Sequence, residues 1–83
     1  MSLTVTDKKA LILDALIQAA IEEGAVAASK GDDYHVGETM GWYRILSIII
    51  DEAESYGVPT KELGLNEYNP DDLLMAIKSK QAA

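Results

Sequence analysis

Apolar residues dominate the stretch from Leu11 to Ala28, and the polar positions Asp14, Gln18, Glu22 and Ser29 recur at intervals of four, four and seven. On a helix those positions form one narrow polar stripe and leave most of the circumference apolar. One neighbour cannot cover such a surface, so the pattern predicts an all-α fold with several packing faces. Helix 1 is expected over about residues 6–30. Thr4 and Asp7 make a capping-box-like pair before it, and Gly31 stops it with Lys30 at its negative end.

Residues 31–35 read as a turn short enough to make neighbouring helices antiparallel. Helix 2 is expected to begin between Val36 and Glu38 and to run over about residues 37–56, ending at Gly57. The run Ile48–Ile50 is β-prone in isolation, but its helical spacing and the acidic residues after it favour a helix. Val58 and Pro59 break the chain, and Thr60 caps one short turn ended by Gly64. Asn69, Pro70, Asp71 and Asp72 form the clearest start signal: a cap, a proline at the first helical position, and acids over the positive end. Helix 3 then covers about residues 70–80.

Folding helix 1 back on helix 2 pairs positions whose numbers sum to about 67, which sets Ala20, Gly24 and Ala28 against Met40, Trp42 and Tyr43. Gly24 costs about 1 kcal/mol in mid-helix, and close approach of another helix is the expected compensation. The spacing of Gly37 and Gly41 reads as a loose first turn of helix 2. The same register predicts a surface ion pair between Glu22 or Glu23 and Arg44. Two such broad apolar faces leave a seam after pairing. Ile12, Leu16, Trp42, Ile45 and Ile49 are its expected residues, and a second copy of the chain closing a dimeric four-helix bundle is its expected occupant.

Size strengthens that expectation. At 83 residues the chain is a single small helical domain, spanning 1–83, with a limited core of its own, and it has no cysteine and one histidine. Disulfides and thiolate metal sites are excluded, so association is the remaining support for a small scaffold. A formal charge of −7 argues against direct nucleic-acid binding and against anionic membranes. No secretory signal is legible, which leaves a cytoplasmic location as the default expectation.

Candidate chemistry is sparse. Glu22 and Glu23 on helix 1 and Asp51, Glu52 and Glu54 on helix 2 are the acids that a metal-dependent hydrolase would need, but they lie about 10–13 Å apart by helical rise unless an oligomer joins them. His35, beside Asp32, Asp33 and Tyr34, marks a candidate exposed recognition turn. No serine has an adjacent histidine, and no phosphate loop is present. Tyr34, Trp42, Tyr43 and Tyr56 are candidates for an aromatic patch. The expected function is a small acidic, non-enzymatic protein–protein interaction module that partners itself and a further, unidentified protein, with no cofactor. The alternatives are the oligomer-assembled hydrolase and an acidic inhibitor mimicking nucleic acid.

Overall fold

The computed structural model describes residues 2–82; of the domain expected over 1–83, residues 1 and 83 lie outside them. The described residues form three α-helices and a short 3-10 turn, with no strand: α1 (Val5–Lys30), α2 (Asp33–Ser55), the turn Thr60–Leu63, and α3 (Asp71–Ala82). The chemistry at the ends explains the boundaries. The Thr4 hydroxyl accepts from the Asp7 backbone N–H at 3.0 Å while Asp7 accepts from the Thr4 N–H at 3.1 Å, which satisfies two orphan donors at the start of α1. Gly31 ends α1 in the left-handed conformation at φ 79°, where a side chain would be strained. At the start of α3 the Asn69 side chain accepts from the Asp71 N–H at 3.0 Å, as the start signal anticipates.

Helix 2 begins four residues earlier than the sequence pattern suggests. Asp32 is the N-cap: its carboxylate accepts from the His35 N–H at 3.0 Å, so Asp33, Tyr34 and His35 belong to the first turn of α2. The connection between helices is therefore only Gly31 and Asp32. Gly37 and Gly41 lie within a continuous helix, not in a loose turn, and a Cβ at either position would meet nothing within 4 Å.

α1 and α2 lie side by side and run in opposite directions. Near the turn, a Cβ on Gly24 would stand 3.3 Å from the Trp42 Cβ; at the far end Leu13 faces Ile49 and Ala53. Facing positions thus sum to about 66, one off the expected register. Met40 departs from it: its side chain is 43% exposed on the outer side of α2, and buried Thr39 takes the inward position. The Thr39 hydroxyl donates to the His35 carbonyl at 2.7 Å, which removes the penalty of burying it.

α3 packs where the two long helices meet the turn. Leu73 reaches within 3.2 Å of a Cβ built on Gly24, and Lys80 lies over Gly31. Tyr43 donates to Asp71 at 3.1 Å. Ile17, Ala20, Ala28, Leu46, Leu65, Leu73 and Ile77 form the resulting core. No helix is long and apolar enough to cross a membrane among the described residues.

Gly24 and Gly37 should respond oppositely to alanine. At Gly37 the new methyl meets open space, and Gly37→Ala is expected to raise stability by up to about 1 kcal/mol. At Gly24 the methyl crowds Leu73 and the Trp42 Cβ, and overpacking outweighs the propensity gain, so Gly24→Ala is expected to lose about 1 kcal/mol. Urea midpoints for the two variants test the contrast; a stabilised Gly24→Ala would show that α1, α2 and α3 do not converge tightly there.

Candidate interaction surface

Burial along α1 is one-sided in sequence as well as in space. Ile17, Ala20, Gly24, Ala27 and Ala28 are buried, whereas every residue from Val5 to Leu16 is exposed. That leaves about three turns of helix with little to hold them, although isolated helices of such length are marginal in water. The bare part is not polar: Val5 is 68% exposed, Ile12 69% and Leu16 48%. These three fall on one face with Ala19 and Val26, at spacings of three, four and seven residues.

α2 carries a matching stripe. Ile45 and Ile48 are exposed and lie about 200° and 140° around the helix from Tyr43, at ~100° per residue, hence away from α3. Between the stripes runs an apolar groove of about 270 Å³, lined by Leu13, Ile48, Ile49, Ala53, Val58 and Leu63, with Glu52 and Tyr56 at its lip. The face is therefore continuous from one long helix to the other. Of the residues expected at the seam, Ile12, Leu16 and Ile45 are exposed on it, while Ile49 and Trp42 are half-buried and packed against the core.

The whole molecule bears the same signature. Its accessible surface is 5972 Å², against about 4,900 Å² for a folded monomer of 9.0 kDa. Its radius of gyration is 14.6 Å, against about 12 Å for a compact chain of this length. The excess, roughly 1,000 Å², resembles what one partner contributes to a standard interface, ~800 Å². The exposed apolar side chains of α1 and α2 lie within that excess-bearing surface as one contiguous patch, and such patches mark interaction surfaces.

The remaining candidates are dispersed. His35 is half-buried, its Nδ1 2.6 Å from Asp32 Oδ2, with the Tyr34 ring edge-to-face at 5.1 Å. This arrangement fastens the helix start; Asp33 and Tyr34 project beside it. The aromatic residues are not gathered: Tyr34 and Tyr56 are exposed at opposite ends of α2, and Trp42 and Tyr43 are half-buried between them. Among the described residues of one chain, no three His, Asp or Glu side chains converge as metal ligands. The expected ion pair with Glu22 or Glu23 does not form among the described residues, because Arg44 lies on the outer face of α2 beside Met40, Gly41 and Ser47.

The His35 backbone N–H, then its side chain, hold the Asp32 carboxyl below its ordinary value of 3.8. A depressed folded-state value stabilises the fold above about pH 4, and that contribution fades as pH falls through the lower folded value. Asp32→Ala is thus expected to lower the melting midpoint at pH 7, with the gap from the parent narrowing towards pH 2. A gap independent of pH would mean that the carboxylate is not the cap. No family model matches the chain, and no curated protein or solved structure shows significant similarity to it.

Proposed function

We propose that the protein is a small acidic protein–protein interaction module that acts without catalysis and assembles as a homodimer. In this reading, two α1–α2 hairpins lie face to face as a four-helix bundle, with α3 of each copy on the outside. The observation that carries it is the apolar face through Ile12, Leu16, Ile45 and Ile48 that the protomer leaves exposed, in a molecule whose surface exceeds that of a compact monomer by roughly 1,000 Å². Burying the stripe through Ile12, Leu16, Ile45 and Ile48 would remove it and give the first turns of α1 the packing they lack. A second copy suits this face because it brings an equally broad apolar surface in the same outline. The exposed helix ends and the Asp32–His35 corner stay free for a further protein partner.

Light scattering or sedimentation at tens of micromolar should return twice the chain mass of 9.0 kDa. Leu16→Glu places a charge in the seam and should reduce the mass to that of one chain without loss of helical circular dichroism. A parent protein that stays at 9.0 kDa under these conditions would overturn the reading.

A further inference from the structure

The α1 stripe is not wholly apolar. Lys9 and Glu23 are exposed on it, seven residues either side of Leu16. Seven residues are nearly two full turns, so both charges share the face of Leu16. Resting on the dimer reading above, we infer that α1 lies antiparallel across α1 of the second copy, with Leu16 on the two-fold axis and Lys9 of each copy paired with Glu23 of the other.

A two-fold axis makes every contact reciprocal. With the axis at Leu16, facing positions sum to about 32, so each interface holds two Lys9–Glu23 pairs. Sizes then match as well as charges: Ile12 faces the small Ala19, Leu16 meets its own counterpart, and Val5 faces Val26. All of these lie within α1, so the helices overlap over about 33 Å. A parallel arrangement of the same two helices would set Lys9 against Lys9 and Glu23 against Glu23, with charge repulsion at both ends.

The same axis also orders α2. Position 16 stands level with about position 50, because facing positions within a chain sum to about 66. Facing positions of the two α2 helices then sum to about 100. Ile48 meets the aliphatic stem of Glu52 rather than a like charge.

The chain has no cysteine, so single-cysteine variants report on this register directly. Oxidised Leu16→Cys should run as a covalent dimer on a non-reducing gel, because the two sulfurs meet at the axis. Val26→Cys should not, since its counterpart stands about 30 Å away along the helices. Lys9→Glu or Glu23→Lys alone should raise the dimer dissociation constant roughly three- to thirty-fold at low salt, each breaking two pairs. The double variant carrying both changes should restore most of the affinity, and circular dichroism confirms that each variant is folded. A dimer in which Leu16→Cys fails to cross-link and the double variant brings no recovery overturns the register while leaving the dimer reading intact; α1 packing on the second copy's α2 would give that result. A monomeric parent overturns both.

Discussion

Everything at the three-helix end of this molecule depends on the missing side chain at Gly24. There the backbone of α1 approaches the Trp42 Cβ of α2 and the Leu73 side chain of α3 so closely that even a methyl group must displace one of them. That contact lets three helices converge, and Leu46, Leu65 and Ile77 close the core around it. A residue that weakens an isolated helix here permits the packing that holds the fold together.

Converging three helices at one end leaves the other with two. α3 is only 12 residues long, less than half the length of α1, so it cannot follow the hairpin to its tip. Val58 and Leu63 shelter part of α2 there, but nothing among the described residues reaches the α1 face that carries Val5, Ile12 and Leu16. An apolar sequence pattern and the short covering helix thus conflict within one protomer. The elongated shape, 51 × 24 × 16 Å, is the geometric result.

Much of this was legible in the sequence because the signals are local. The Thr4–Asp7 reciprocal cap, the left-handed Gly31 and the cap at Asn69 each depend on a few adjacent residues. Gly24 was legible for a different reason: a glycine in mid-helix demands a neighbour, and antiparallel pairing supplies one. The start of α2 was harder to place. Four polar residues in a row resemble a loop, yet an aspartate followed by a second acid is also a capping signal, and the His35 N–H decides for Asp32. Met40 and Arg44 were misplaced because a register fixes the height of a residue, not its direction around the helix. Buried Thr39 gave no apolar signal, since its burial depends on a hydroxyl that turns back to its own backbone.

A net charge of −7 on each chain bears on self-association through where the charges lie. Asp14 and Glu22 sit on the polar stripe of α1, turned away from Leu16, whereas the Leu16 face carries Lys9, Glu23 and, in the last turn, Lys30. At physiological ionic strength, charges more than ~8 Å apart across solvent are largely screened. The acidic surface can therefore keep protomers soluble and oppose non-specific clustering without opposing contact through this face. Added salt weakens both the general repulsion and the Lys9–Glu23 attraction, so the two effects pull the dimer affinity in opposite directions. Replacing Lys9 and Glu23 together by glutamine removes only the attraction. Any tightening by salt that persists in that variant measures the repulsion from the rest of the acidic surface.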